Sequence, residues 1–329
     1  MGLTIHGKTV GNIGLGMMNL TLRPTRIPDE QIFATIKAAL EAGSNYLNAS
    51  EFYGAPDHNS LTALNKYFDK YPEDEGKFVI NAKGCLPNFT PDNSPASVKT
   101  SIENSVRLIG GKGRIDQFEP ARNDAAVDVE VALKAIGEHV KSGDIKGITL
   151  SEVNAETVRR AAKVAKIEAV EVELSLWELA PLENGVAKAC AELGIPLLAY
   201  SPLGHGVLTG KVNKPSDIPE GDFRRTIPRF QGEHFEANIR LVREVEKLAA
   251  KKGATPAQIA INWLLALARR PGMPTVVPIP GASSPAQVGE NTVEIDLTDA
   301  DMVEIDKILE ALPVAGDPYG AHQMGFLSR

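Results

Sequence analysis

The chain has 329 residues, 43% of them hydrophobic and 23% charged, with a formal net charge of −7; this fits one large α/β domain or two average ones and excludes a disordered or fibrous polypeptide. Its basic residues are scattered, so nucleic acid is not an expected partner, and no apolar run approaches the roughly 20 residues that span a bilayer, so no membrane is expected either. Cys85 and Cys190, the two cysteines, make neither a disulfide framework nor a metal site and fit a reduced cytoplasmic setting, the nucleus included. The N-terminal M-G-L-T-I-H-G-K has no secretory apolar segment and no myristoylation pattern, and reads as mature sequence.

The stretch 3–10 predicts a short hairpin about Gly7. Gly11 to Met18 is apolar with glycines spaced G-x-x-G-x-G, not the G-x-G-x-x-G of a dinucleotide fingerprint, and 21–28 reads as a loop with no helix directly before it. From Pro28 onward helices and strands alternate. Helix 28–41 carries Ile32, Phe33, Ile36, Ala39 and Leu40 at helical spacing and stops at Gly43. Strand 46–50, helix 59–69, strand 78–83, helix 95–109, strand 115–121, helix 127–142, strand 146–151, helix 154–165, strand 169–175, helix 183–193 and strand 195–202 follow. After a long loop come helices 235–252 and 256–269, strand 275–280, and helices 285–291 and 299–311. Eight βα units in one run predict an α/β fold, a single (β/α)8 TIM barrel over 1–329 with an N-terminal β-hairpin and an extra C-terminal helix and tail. Its site belongs at the C-terminal ends of the strands.

Two of those strand ends carry chemistry. N-Y-L-N-A-S-E-F-Y-G closes on Tyr53 followed by glycine, and F-V-I-N-A-K-G on Lys83 followed by glycine. Burying an ammonium costs several kcal/mol unless something offsets it, and a phenol on the neighbouring strand is a reason to keep one there. Alone, a tyrosine leaving a strand is more often a packing residue, and a lone lysine snorkels to solvent. Together, at corresponding ends, they argue for an acid site. A Lys⁺ at ~4 Å in an effective dielectric of ~20 stabilises a phenolate by up to about 4 kcal/mol, which would move a phenol from ~10 toward ~7. The lysine alone is therefore expected to suffice. Asn81 and Glu119 share the inward parity of their strands and are expected to be satisfied interior polar groups.

With S-G-D-I-K-G-I-T-L-S, L-L-A-Y-S-P-L-G-H-G-V-L-T-G-K, G-D-F-R-R-T-I-P-R-F and I-P-G-A-S-S-P-A-Q-V-G-E-N following in order, these stretches resemble the aldo-keto reductase superfamily along essentially the whole chain. N-A-S-E-F-Y-G and F-E-P-A-R look most like its fungal pyridoxal reductase branch. The resemblance implies NADPH-dependent reduction of a small-molecule aldehyde, pyridoxal to pyridoxine first, with the dinucleotide extended across the barrel mouth, no metal, and a monomer or weak homo-oligomer. Of the family's Asp, Tyr, Lys and His, Tyr53 and Lys83 match. Asn48 stands at the aspartate position, where its amide oxygen would orient Lys83. Ala121 stands at the histidine position, removing one donor to the carbonyl and leaving room for a substituted aromatic ring. Arg122 is adjacent and could reach the substrate, but strand parity turns it to the opposite face.

The resemblance also assigns cofactor positions. Tyr200 would stack on the nicotinamide, while Ser151 and Glu171 would hold its carboxamide, with Glu152 where an asparagine usually follows the serine. Ser201, Leu203, Gly206 and Lys211 would clamp the pyrophosphate. Gly281, Ser283, Gln287, Glu290 and Asn291 would receive the adenosine. Gln287 lacks the basic side chain that some members use for a 2′-phosphate, a charge that Arg224, Arg225 or Arg229 would supply from the preceding loop. Phe52, Phe89, Trp177 and Tyr319 would wall the substrate pocket. Three other functions stay open: a broad aldehyde or ketone reductase, a cofactor-binding regulatory barrel like the potassium-channel β subunits, and a lyase forming a Schiff base on Lys83.

Overall fold

Eight short parallel strands, buried on both faces, curl until the first meets the last in the computed structural model, which describes residues 2–327. In chain order they are β1 (Leu15–Gly16), β2 (Tyr46–Ser50), β3 (Val79–Gly84), β4 (Ile115–Pro120), β5 (Ile145–Ser151), β6 (Ile167–Glu173), β7 (Leu197–Tyr200) and β8 (Val276–Pro278), each bonded to the next. The seam closes through Gly16, which pairs in parallel with Gly281. The amides of Gly14 and Gly16 donate to the carbonyls of Pro278 and Pro280 at 2.9 and 3.0 Å. A Cβ on Gly16 would lie 2.8 Å from the carbonyl oxygen of Ile279, so the glycine-rich run serves closure of a (β/α)8 barrel rather than phosphate binding.

Strand parity sorts the side chains. One set packs outward beneath the helices in the main core. The other points along the axis, where Tyr46, Val79, Ala169, Leu198, Val277 and Ile279 form an apolar floor. The hairpin Thr4–Ile5/Lys8–Thr9 plugs that floor with Ile5 and Val10. Above the floor the same parity delivers Asn48, Asn81, Glu119, Thr149 and Glu171, all buried. A barrel interior that turns from apolar to ionisable along its axis spends stability at one end, which is where chemistry is expected.

The helices start where the sequence supplies caps: the side chains of Asn59, Ser94, Asn154, Thr255 and Thr298 each accept an amide of the first turn. The expected helix 183–193 is two, Ala180–Glu183 and Val186–Leu193, broken where Gly185 takes φ 88°, and two further elements were not expected. A four-residue helix, Met18–Thr21, directly follows β1, and a second hairpin pairs Gly54–Ala55 with His58–Asn59. Both are too short to show periodicity. The long 203–231 loop is a chain of 3₁₀ turns, and the C-terminal tail is tied to it and to the helix that follows, Gly232–Lys252: Arg229 Nε donates to Gly316 O at 3.0 Å, and Ala315 N donates to Asn238 Oδ1 at 2.7 Å. Among the described residues no helix is long and apolar enough to cross a membrane.

Candidate active site

Strands β2 and β3 run in register with Ser50 opposite Lys83, and the loop leaving β2 is tied back onto them. Ser50 N donates to Ser60 Oγ at 2.8 Å, and Ser50 Oγ donates to Lys83 O at 3.0 Å. Thr21 Oγ1 donates to the carbonyl of Tyr53 at 2.5 Å. Gly54 turns the chain at φ 121°, where a Cβ would lie 2.2 Å from His58 O, so no other residue follows Tyr53 without moving it. The result is a phenol suspended over a buried ammonium: Lys83 Nζ donates to Tyr53 OH at 3.3 Å and to Asn48 Oδ1 at 3.1 Å.

Lys83 has a third and closer partner that the sequence reading did not foresee. Its ammonium donates to Glu171 Oε1, across the barrel on β6, and the other oxygen of that carboxylate accepts from Asn48 Nδ2 at 2.6 Å. Glu171, assigned above to the nicotinamide amide, is instead fully buried and engaged with Lys83 and Asn48. Where the family carries an aspartate on β2, this chain has an amide on β2 and the anion on β6. Asn48 is bonded to both charges, accepting from one and donating to the other.

The electrostatics follow from this arrangement. Burial alone would lower the pKa of Lys83; the carboxylate of Glu171 outweighs burial and holds the ammonium above its ordinary range. Burial raises Tyr53, Lys83 opposes that, Glu171 adds to it, and the phenol lies above its usual pKa. The expectation that one lysine would bring Tyr53 toward neutrality is therefore corrected, because it left out desolvation and the lysine's own counter-ion. Glu119 goes further. Burial first, then the neighbouring Glu171 charge, push its carboxyl well above the carboxylate range despite Lys83. Among the described residues neither of its oxygens has a partner of good hydrogen-bond geometry; protonated, it can donate to Glu171. Asn81, expected to be satisfied, is half so: Oδ1 accepts from Thr149 Oγ1 at 3.1 Å while Nδ2 has no partner among the described residues.

Around this pair lie the remaining candidate residues. The Tyr200 ring sits 5.7 Å from Lys83 Nζ, and its hydroxyl meets Tyr319 OH at 3.1 Å. Ser151 is buried with its hydroxyl unpaired among the described residues. Glu152 takes φ 52°, a conformation that an asparagine adopts more readily, and accepts from Glu173 N at 2.8 Å. Buried Glu173 faces His205 Nε2 at 3.0 Å, which outweighs burial and holds the carboxyl below its ordinary range; neither residue was singled out from sequence, although Glu173 shares the inward parity of Glu171. Ser201 adopts φ 49° with its hydroxyl 3.4 Å from His205 Nδ1. Beyond it lie partly buried Leu203, Gly206 at φ 92° and exposed Lys211.

The three loop arginines are all committed. Arg225 donates twice to Ile218 O, at 2.8 and 2.6 Å, Arg224 grips Asp222, and Arg229 pairs with Glu178 at 3.0 Å. The expected 2′-phosphate charge from Arg225 is thus spent on its own loop. Lys211, by contrast, has no carboxylate within 4.0 Å among the described residues. At the seam, Ser283 N donates to Gln287 Oε1 at 2.7 Å, Asn291 Nδ2 donates to Gly281 O at 3.4 Å, and Glu290 is half-buried.

On the substrate side, Phe52 packs edge-on to Tyr53 with centroids 5.2 Å apart, and Phe89 stands 6.5 Å from Phe52. Ala121 is buried at the end of β4. Trp177 is only 1% exposed and packs on Phe230, so it belongs to the core rather than to a pocket wall. Arg122 departs most from expectation. The chain bends at the end of β4, parity lapses, and the guanidinium turns into the mouth, 5.9 Å from the Tyr200 ring centroid.

A parallel barrel whose C-terminal mouth carries a lysine-backed tyrosine defines the class. The sequence model of the Aldo/keto reductase family matches residues 12–310, and the chain belongs to that family of oxidoreductases. It is 36% identical to the probable pyridoxal reductase 2 of Schizosaccharomyces pombe, covering 98% of this chain and 99% of that one. It is 38% identical to a putative pyridoxal reductase of Saccharomyces cerevisiae, covering 93% and 95%. The S. pombe aldo-keto reductase yakc [NADP(+)] is 32% identical over 96% and 93%. Among solved structures, the glycerol dehydrogenase AKR11B4 of Gluconobacter oxydans superposes with a TM-score of 0.83 at 24% identity, covering 95% and 96%, and corroborates the fold.

Proposed function

We propose that this protein reduces pyridoxal to pyridoxine with NADPH, and that Tyr53 supplies the proton. The observation that carries the proposal is the Lys83 ammonium 3.3 Å from the Tyr53 hydroxyl at the open end of the barrel. The two relatives named as pyridoxal reductases support the substrate, and the relative named for NADP(+) supports the cofactor.

NADPH would bring the hydride; the protein's part is to hold the ring, orient the aldehyde and move a proton. The unpaired hydroxyl of Ser151 suits the carboxamide, and the half-exposed ring of Tyr200 suits the nicotinamide face. Ser201, Leu203, Gly206 and Lys211 would take the pyrophosphate, Lys211 as the uncommitted cation, and Gly281, Ser283, Gln287, Glu290 and Asn291 the adenosine. A donor must hold its proton until charge develops on the carbonyl oxygen, and Tyr53, raised by burial, does so at neutral pH. Lys83 then stabilises the phenolate left behind. Glu171 keeps Lys83 charged and Asn48 fixes its direction. Ala121 leaves space where the family's histidine would stand.

The pH dependence follows from the direction of the Tyr53 shift. Reduction needs the phenol and is expected to vary little between about pH 6 and 9, whereas oxidation of pyridoxine needs the phenolate and is expected to rise about tenfold per pH unit across that range. The direct test mixes purified protein with NADPH and pyridoxal and follows the loss of reduced-nicotinamide absorbance. Turnover of simple benzaldehydes but not of pyridoxal would replace the proposal with a broad aldehyde reductase. NADPH binding without turnover of any aldehyde would favour the regulatory barrel.

A further inference from the structure

Strand β4 ends at Pro120, and Ala121 still lies in the sheet, its N–H donating to Gly84 O at 2.9 Å. At Arg122 the chain bends away. Its carbonyl accepts from Asn93 Nδ2 at 3.1 Å, and its Nη1 folds back to donate to the carbonyl of Ala121 at 2.7 Å. The guanidinium is thereby held in the barrel mouth beside the Tyr200 ring. Its electrostatic neighbours there are Tyr200, Tyr319, Glu152 and Tyr53.

This cation lacks a direct counter-ion. Among the described residues no carboxylate lies within 4.0 Å of it, whereas Arg114, Arg160, Arg224 and Arg229 all have one. Glu152, the acid facing it, is turned toward Glu173 N. Among the described residues its guanidinium makes one hydrogen bond, from a fork that carries five donors. A partly buried guanidinium with donors to spare, facing neutral phenols in a mouth built for a small molecule, is an anion site waiting for its anion.

The geometry points to Arg122 as the residue that binds an anionic oxygen of the substrate, set next to the reacting carbonyl: the aldehydes preferred would carry an ionised hydroxyl ortho to the formyl group. Arg122 directly follows Ala121, the position against which the carbonyl is expected to lie, so its charge falls on the neighbouring ring substituent. The inference rests on the proposed aldehyde reduction and narrows it, since pyridoxal has such a hydroxyl. No new bond is made or broken; the contribution is binding and orientation.

The test compares matched aldehydes, pyridoxal against pyridine-4-carbaldehyde and salicylaldehyde against benzaldehyde, for the wild type and for Arg122→Gln and Arg122→Lys. The expected result is a wild-type preference, in kcat/KM, for the ortho-hydroxy member of each pair. That ratio should fall about 10- to 100-fold in Arg122→Gln, the usual effect of losing a charged hydrogen bond, and be partly restored in Arg122→Lys. A ratio within about twofold of wild type in Arg122→Gln would overturn the inference. So would a loss confined to NADP⁺ affinity, which would give the charge to the cofactor. If no aldehyde is reduced at all, the proposed function fails, and the anion site is read separately from calorimetric binding of salicylate with NADP⁺ present. Equal binding by wild type and Arg122→Gln would then refute it.

Discussion

Tyr53→Phe is expected to lower kcat for aldehyde reduction by about 10²- to 10⁴-fold, the range over which a positioned general acid contributes. The substitution keeps the ring that packs against Phe52 and removes only the O–H. Lys83 retains Glu171 and Asn48 as acceptors, so the ammonium stays in place and the barrel interior is undisturbed. Cofactor affinity should therefore remain within about twofold, because neither Ser151 nor Tyr200 is touched. Steady-state rates with pyridoxal, set beside a fluorescence titration of NADPH binding, separate the two effects. Equal turnover by both proteins would show that the proton comes from elsewhere.

The second large effect concerns the two carboxyls around Lys83, and it is expected to be non-additive. In Glu171→Gln the burial of Glu119 remains, but the repulsion that adds to it in keeping Glu119 protonated disappears, and Lys83 is left without its closer anion. Glu119 then ionises and replaces Glu171 as the lysine's counter-ion from 3.7 Å away, limiting the loss of stability to about 1–2 kcal/mol. Glu119→Gln removes an acid that is neutral in the folded barrel and ionised in the unfolded chain. Because the folded pKa lies above the unfolded one, the stability linked to this group is complete below the ordinary carboxyl pKa. It is lost as pH rises toward the folded value. Glu119→Gln should therefore weaken the decline of stability between about pH 5 and 8. The double variant leaves a buried ammonium with no anion, a loss of about 3–5 kcal/mol unless Lys83 gives up its proton. If it does, activity should fall and recover as pH is lowered. Urea unfolding of the four proteins gives the coupling energy directly. Additive losses, or a full loss from Glu171→Gln alone, would show that Glu119 cannot take over.

Much of this architecture was legible in the chain. Helical spacing such as Ile32, Phe33, Ile36 and Ala39, stops such as Gly43, and strand lengths of five to seven residues for β2 to β6 are local properties, and eight alternations of them leave little besides a closed parallel barrel. Tyr53 and Lys83 were legible for a related reason: each precedes a glycine at or just beyond the end of a strand, and adjacent parallel strands bring corresponding ends together. What parity could not anticipate was Arg122, because parity holds only while the strand continues and β4 ends two residues earlier.

The sequence by itself determined the order of elements, the barrel, the polar parity of its interior and the phenol–ammonium pair, all consequences of spacing along one or two neighbouring segments. Only the tertiary structure decided which carboxylate neutralises Lys83, which acid keeps its proton, and which arginines are committed. Glu171 lies 88 residues from Lys83, Glu119 is neutral because of its burial and a charge on another strand, and Arg225 is spent on a carbonyl of its own loop. Charge pairing and desolvation depend on distance through the folded interior, and no pattern of neighbours in the chain encodes that distance.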